Sequence, residues 1–121
     1  MQLILGGARS GKSRLAEQIA QQLAQPVVYV ATAQALDGEM QARIQHHQQQ
    51  RPEDWGLCEE PIYLAEHLVK LDRLNQTILV DCLTLWMSNL LMHTDPDLQV
   101  QECQKLLDVV GNLQSELILV S

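Results

Sequence analysis

Residues 1–24 read MQLILGGARSGKSRLAEQIAQQLA, an apolar run followed by a glycine-rich turn and a segment of helical pattern. The turn, GGARSGKS at residues 6–13, fits G-x-x-x-x-G-K-[ST] and lies between strand and helix, where this motif occurs. Backbone N–H groups of such a turn point at one anion, and the helix dipole adds to the attraction. A glycine-rich turn that binds nothing is the alternative. The motif predicts that nucleotide phosphates are bound by Gly6, Gly7, Ala8, Arg9, Ser10, Gly11, Lys12 and Ser13.

Two side chains, Ser13 and Asp81, predict a magnesium ion beside these phosphates. Lys12 would reach the β- and γ-phosphates, and the Ser13 hydroxyl would ligate Mg²⁺. A carboxylate from a neighbouring strand usually completes such a site, and Asp81 ends the apolar run TILVD at residues 77–81. Aspartate is also favoured at helix starts, so a helix cap is the alternative role for Asp81.

The fold class follows from apolar runs that alternate with helical patterns. Runs rich in β-branched residues occupy residues 3–5, 27–31, 77–80 and 117–120. Helical spacing connects Leu15, Ile19 and Leu23, and also Leu64, Leu68 and Leu71. Strands without alternation, separated by helices, predict a parallel sheet covered on both faces. We expect an α/β fold, a P-loop NTPase-like three-layer sandwich with a mostly parallel sheet and helices near residues 12–24, 37–49, 62–71, 83–92 and 97–114.

Composition limits the classes of partner. The 121 residues carry 8 Lys+Arg against 15 Asp+Glu, a formal net charge of -7. Nucleic acid is bound through Lys- and Arg-rich faces, so we expect no DNA or RNA partner. The longest apolar stretch, residues 78–92, contains too many polar residues for a membrane span, and the amino terminus lacks the basic region of a secretory signal. Three widely spaced cysteines indicate reduced thiols, so we expect a cytoplasmic protein. The length and the ordinary globular composition predict a single domain over residues 1–121.

Two adjacent histidines lie on the expected helix over residues 37–49. At about 100° per residue, Met40, Ile44 and His47 share a stripe that we expect to face the core, while His46 projects about 120° away from Met40. A neutral imidazole is a competent nucleophile toward phosphorus, so His46 could accept a phosphoryl or nucleotidyl group. A solvated side chain is the alternative. Adjacent helical residues diverge, which argues against zinc binding by the pair.

Two polar stretches follow this helix. Arg51 precedes Pro52, which ends the helix, and it either binds phosphate in bidentate fashion or complements the helix dipole. Glu60 could accept hydrogen bonds from the N1–H and amino group of guanine, or it could supply negative charge at the start of the next helix. We expect Trp55 and Trp86 to pack against other side chains rather than stack on a base.

Four segments together resemble one enzyme family. They are GGARSGKS at residues 6–13, YVATAQ at 29–34, DGEMQARIQHHQQQRPEDW at 37–55 and LVDCLTLWMSNLL at 79–91. The combination resembles the bifunctional adenosylcobinamide kinase / adenosylcobinamide-phosphate guanylyltransferase family of cobalamin biosynthesis. A P-loop alone is unspecific, whereas E-M-x-x-R-I-x-x-H followed by R-P-x-x-W is a narrow pattern. The resemblance spans nearly the whole chain.

The resemblance implies a two-step enzyme. It would phosphorylate adenosylcobinamide with ATP or GTP, and then transfer GMP from GTP to adenosylcobinamide phosphate through a guanylylated histidine that matches His46. Lys12 would be a second catalytic residue, and the protein would be a homo-oligomer, a trimer in the full-length family. The resemblance implies further nucleotide contacts from Ala33, Gln34, Ala35, Arg51, Pro52, Glu53, Asp54, Glu60 and Asp81.

Two other functions are possible alternatives, and the chain differs from the family in one respect. The chain could be an ordinary P-loop small-molecule kinase without a covalent intermediate, or a nucleotide-binding module without turnover. GTPase switches usually carry N-K-x-D, which this sequence lacks, so the second of these is the less favoured. Family members continue beyond the strand that ends at residue 120, so we expect the C-terminal part of the family domain to be missing.

Overall fold

The computed structural model of the chain describes residues 1–5, 11–33 and 55–121. The predicted helix over residues 37–49 lies outside them. In chain order, the elements are β1 (Gln2–Ile4), α1 (Lys12–Gln22), β2 (Val27–Ala31), β3 (Gly56–Glu59), α2 (Leu64–Leu71), β4 (Thr77–Asp81), α3 (Leu83–Leu91), α4 (Pro96–Val110) and β5 (Glu116–Val120).

The strands form one parallel sheet in the order β1-β5-β4-β2-β3. In its centre, β2 and β4 pair with Tyr29 opposite Leu79 and Ala31 opposite Asp81. The predicted α/β class and parallel sheet are confirmed. Strand β3 was not predicted, because its sequence GLCE contains no β-branched residue. It forms at the edge of the sheet through its pairing with β2.

Alternate residues of each central strand face opposite sides of the sheet, and helices cover both sides. Helices α2, α3 and α4 pack on one face, and α1 packs on the other. The first face is built around Val30, Leu64, Leu68, Ile78, Val80, Trp86, Leu90, Leu117 and Leu119. The second face is built around Ala16, Ala20, Tyr29, Leu79, Ile118 and Val120. This arrangement confirms the three-layer sandwich.

The buried face of α1 differs from the predicted stripe. Ala16 and Ala20 are fully buried, whereas Leu15 is 49% and Leu23 is 38% exposed. The two alanines let the helix backbone lie close to β4 and β5, which α1 contacts. The stripe predicted for α2 is confirmed at Leu64 and Leu68, which are both buried.

A polar cluster joins the amino ends of β4 and β5, at what we term the amino edge of the sheet. Asp72 accepts hydrogen bonds from Gln114 N at 3.0 Å and from Ser115 N at 2.8 Å. Ser115 Oγ in turn accepts from Arg73 N and lies 3.2 Å from Gln76 Nε2. Burial alone would raise the pKa of Asp72, but the hydrogen bonds from Gln114 and Ser115 outweigh it, and the pKa lies below its ordinary value.

Within the described part of the chain, none of the helices has the length and apolar character needed to cross a membrane.

Candidate active site

The candidate residues gather where the strands end. Because all five strands are parallel, their carboxyl ends lie at one side of the sheet, the carboxyl edge, and ligands of open α/β sheets bind outside this edge. The segment that contains the predicted phosphate loop follows β1, Ala33 follows β2, Glu60 follows β3, and Asp81 ends β4. From β1, strand β4 lies two inter-strand spacings away, about 10 Å, and β3 lies four spacings away, about 19 Å.

The glycine directly before α1, within the predicted phosphate loop, has a left-handed backbone. Gly11 precedes α1 with φ 77° and ψ 17°, a left-handed conformation that a glycine adopts without steric cost. Helix α1 then begins at Lys12, so the positive end of its dipole lies at Gly11. The side chains of Lys12 and Ser13 lie outside the described part of the chain.

Asp81 lies on the same face of the sheet as α1. The neighbouring residue Val80 packs on the opposite face. The Oδ2 atom of Asp81 accepts a hydrogen bond of 2.6 Å from the hydroxyl of Tyr29. The alternative role as a helix cap is wrong for Asp81. Cys82 is the N-cap of α3, and its Sγ accepts from Leu85 N at 3.3 Å.

One detail of the predicted magnesium site is wrong. Asp81 does not come from a strand next to β1, because β5 lies between β1 and β4. Helix α1 begins at the carboxyl edge, where β4 ends in Asp81, and it packs across β4 and β5. A carboxylate two strands away can therefore still face the start of α1.

Thr32 ties the ends of β2 and β4 together. Its Oγ1 donates to Cys82 O at 2.7 Å and accepts from Cys82 N at 2.9 Å, and its backbone N–H donates to Asp81 O at 3.1 Å. The peptide bond between Asp81 and Cys82 is cis. These contacts hold the backbone that directly follows the Asp81 side chain, and Ala33 is the first residue of the chain beyond them.

Glu60 holds the start of the segment after β3. Its Oε2 accepts from Ile62 N at 2.9 Å and from Tyr63 N at 3.0 Å, and its Oε1 lies 3.2 Å from His67 Nδ1. These are the contacts of a carboxylate at a helix start, which was the alternative to base recognition. Burial, together with Glu60 and Glu59, raises the pKa of the nearby Cys58 thiol, so this thiol stays protonated at neutral pH.

Sequence reasoning missed two of the residues that orient Asp81. Tyr29 interrupts the aliphatic run VVYVA. This interruption could have indicated its role, because a tyrosine hydroxyl in a buried strand needs a hydrogen-bond partner. Thr32 follows the same strand without any distinguishing pattern. The packing role expected for the tryptophans is confirmed, since Trp86 is buried in the core and Trp55 packs against the second face.

Many of the predicted contacts lie outside the described residues, and they remain predictions. These are Gly6, Gly7, Ala8, Arg9, Ser10, Gln34, Ala35, His46, Arg51, Pro52, Glu53 and Asp54.

The candidate metal ligands have the chemistry that magnesium prefers. Mg²⁺ binds oxygen ligands and is usually held by one or two carboxylates together with substrate phosphates. Asp81 supplies such a carboxylate at the carboxyl edge, and Tyr29 fixes its orientation. In the parts of the chain that are described, no group of three or more His, Cys, Asp or Glu side chains could hold a metal ion. A single carboxylate such as that of Asp81 is the kind of protein ligand that a magnesium ion bound together with a phosphate uses.

Comparison with known proteins identifies relatives over almost the whole chain. The family described as cobinamide kinase / cobinamide phosphate guanyltransferase matches residues 2–121. The bifunctional adenosylcobalamin biosynthesis protein CobP of Pseudomonas aeruginosa is 51% identical over 119 residues, which cover 98% of this chain and 69% of that protein. The proteins named CobU of Escherichia coli and Salmonella typhimurium are 46% and 47% identical, each over 80% of this chain and 55% of its own length. The predicted resemblance is confirmed.

Proposed function

The chain belongs to the cobinamide kinase / cobinamide phosphate guanyltransferase family, and we propose that it carries out both reactions of that name. The substrates would be adenosylcobinamide, then adenosylcobinamide phosphate, with ATP or GTP for the first step and GTP for the second. The observation that carries the proposal is the family match over residues 2–121. The chain spans 55% to 69% of the length of the relatives above.

The kinase step transfers a phosphoryl group to a hydroxyl. The aminopropanol oxygen of adenosylcobinamide attacks the γ-phosphorus, a new P–O bond forms, and the bond to the β–γ bridging oxygen breaks. The hydroxyl proton is lost and a nucleoside diphosphate leaves. The N–H groups of residues 6–13 and the Lys12 ammonium would stabilise the charge that develops on the phosphate oxygens.

The guanylyl transfer uses a covalent intermediate. A ring nitrogen of His46 attacks the α-phosphorus of GTP, a P–N bond forms, and pyrophosphate leaves. An oxygen of adenosylcobinamide phosphate then attacks the same phosphorus, the P–N bond breaks, and adenosylcobinamide-GDP is released. Two displacements at one site let the same nucleotide-binding surface serve two acceptors in turn.

The geometry of the carboxyl edge supports this use. The edge extends about 19 Å from the end of β1 to the end of β3, which suits an extended nucleoside triphosphate lying from the phosphate loop toward Glu60. Ser13 and Asp81 would hold Mg²⁺, which when bound neutralises charge on the phosphate oxygens. Ala33, Gln34, Ala35 and the segment over residues 51–54 would add further nucleotide contacts.

The proposal extends to location and assembly. The described cysteines Cys58, Cys82 and Cys103 are all free thiols, which supports a reducing compartment such as the cytoplasm. We propose a homo-oligomer, a trimer as the resemblance implies, and sedimentation equilibrium of the purified chain would measure its mass.

Labelled GTP tests the proposed mechanism. The chain is incubated with GTP labelled at the α-phosphate, denatured and separated from free nucleotide, and GTP labelled at the γ-phosphate serves as a control. We expect an α-labelled adduct that is acid-labile and alkali-stable, is lost in His46→Ala and is kept in the matched variant His47→Ala. Phosphorylation of adenosylcobinamide without any adduct would instead indicate an ordinary kinase, and nucleotide binding without either product would indicate a binding module.

A further inference from the structure

One side chain of α3 joins the segments that follow β2 and β3. Asn89 Nδ2 donates to Thr32 O at 2.8 Å and to Pro61 O at 3.1 Å. Both partners are carbonyl oxygens, so the nitrogen of the amide must face them and both of its hydrogens are used.

These hydrogen bonds begin where the strand pairing stops. The pairing of β2 with β3 ends at Ala31 opposite Glu59, followed by one last bond from Glu60 N to Ala31 O of 2.9 Å. Beyond this point, the carbonyls of Thr32 and Pro61 both accept from the Asn89 amide instead. The side chain therefore continues the connection between the two chains as they leave the sheet.

A second side chain of α3 holds the same segment after β3. Trp86 is 3% exposed, and its Nε1–H donates to Ile62 O at 2.8 Å. The backbone N–H of Ile62 donates to Glu60 Oε2. The segment that begins at Glu60 is thus held through its carbonyls by α3 and through its amides by the Glu60 carboxylate.

We propose that Asn89 is a positioning residue for nucleotide binding. Its two hydrogen bonds fix the distance between Ala33, which follows Thr32, and Glu60, which precedes Pro61. The inference rests on the proposed function, in which Ala33 and Glu60 contact the nucleotide. Asn89 acts through these segments and does not contact the nucleotide itself. Such a role can be large, because a displacement of about 1 Å caused by a change far from the chemistry can lower activity up to about 100-fold.

The test compares two Asn→Asp changes of the same chemistry. Asn89→Asp keeps the size of the side chain but replaces its donor nitrogen with an oxygen that repels both carbonyls. The matched control is Asn112→Asp, since Asn112 Nδ2 donates to a single carbonyl, Asp108 O, at 2.7 Å in an exposed position near the amino edge. Both changes add one negative charge.

Affinity for GTP and for ITP, which lacks the 2-amino group of guanine, is measured by calorimetry well below the thermal midpoint of each variant. We expect Asn89→Asp to weaken GTP binding about 10-fold or more and to reduce the preference for GTP over ITP. We expect Asn112→Asp to leave both within about 2-fold of the wild type. A purely structural role would lower the thermal midpoint without changing either affinity of the folded protein, and that result would overturn the inference.

Two milder variants keep the test decisive if Asn89→Asp does not fold. Asn89→Ala removes the donors without adding repulsion, and Trp86→Phe keeps a smaller aromatic ring in the core but removes the N–H that reaches Ile62. Wild-type GTP affinity and GTP preference in both variants would overturn the inference alone, while the α-labelled adduct would still form. A wild-type chain that binds no GTP would overturn the proposed function and this inference with it.

Discussion

The two edges of the sheet both join strands through polar side chains, but Asp72 at the amino edge and Asp81 at the carboxyl edge differ in what they contact. At the amino edge, Asp72 accepts from the backbone of Gln114 and Ser115, directly before β5 begins. At the carboxyl edge, Asp81 accepts from the hydroxyl of Tyr29, 52 residues away in sequence. The first carboxylate supports the backbone that it touches, whereas the second is itself held in orientation by another side chain.

This difference separates stability from function. A carboxylate that satisfies backbone amides stabilises the fold, and its loss leaves those amides without a partner. A carboxylate that another side chain orients at the ligand-binding edge of a parallel sheet is positioned to contact a ligand. Substitution of Asp72 and of Asp81 should therefore change different measured quantities, and the following predictions test this from the largest expected effect to the smallest.

Asp81→Asn is expected to have the largest effect on activity. Asparagine has nearly the same size and its Oδ1 can still accept from Tyr29, but it lacks the negative charge proposed to hold Mg²⁺. Turnover of GTP should fall about 100-fold or more, and the thermal midpoint should change little. Initial rates and circular dichroism measure the two quantities. Activity within a few-fold of the wild type would show that Asp81 has no part in the reaction.

Asp72→Ala is expected to do the reverse. It removes the acceptor for Gln114 N and Ser115 N, so the free energy of unfolding should fall by about 1–2 kcal/mol. The affinity of the folded protein for GTP should not change. Urea unfolding measures the first quantity, and Asp108→Ala, at an exposed position on α4, serves as the control with an expected change within about 0.5 kcal/mol. Weaker GTP binding in Asp72→Ala would contradict the division between the edges.

The sequence predicted most of the fold because strands and helices are indicated by patterns of neighbouring residues. Runs such as residues 77–80 and 117–120 match β4 and β5 within one residue at each end. The order of the strands has no local signal, since it depends on how the helices pack across the sheet. The position of β5 between β1 and β4 could therefore not be predicted, although all three segments were predicted as strands.

The candidate site was predictable only where a motif carries its chemistry. The glycine-rich turn and Asp81 are recognisable because residue type and position relative to a strand suffice. Tyr29 and Asn89 are not recognisable in this way, because their partners Asp81 and Thr32 lie 52 and 57 residues away. Hydrogen bonds over such separations are set by the tertiary fold.

Tyr29→Phe sharpens the comparison at the carboxyl edge, with a smaller expected effect. The hydrogen bond to Asp81 Oδ2 is lost while the buried ring, 4% exposed in the wild type, keeps its packing. The Mg²⁺ concentration that half-saturates GTP binding should rise about 3-fold, because Asp81 loses a bond that orients it. Fluorescent nucleotide binding at varied Mg²⁺ measures this. Tyr63→Phe, at an exposed position, is the control, and an equal shift in both variants would remove the role assigned to Tyr29.

Acid unfolding gives the smallest effect and tests the amino edge alone. The hydrogen bonds from Gln114 and Ser115 outweigh burial and lower the pKa of Asp72 in the folded state. A carboxyl whose folded pKa lies below its unfolded value, about 3.9, stabilises the fold above that pH, and this contribution is lost as the pH falls through the folded pKa. The difference in unfolding free energy between the wild type and Asp72→Asn should therefore be constant above about pH 5 and shrink below about pH 4. Urea unfolding at a series of pH values across this range measures the difference. A difference that stays constant below about pH 4 would show that the charged form of Asp72 does not stabilise the amino edge.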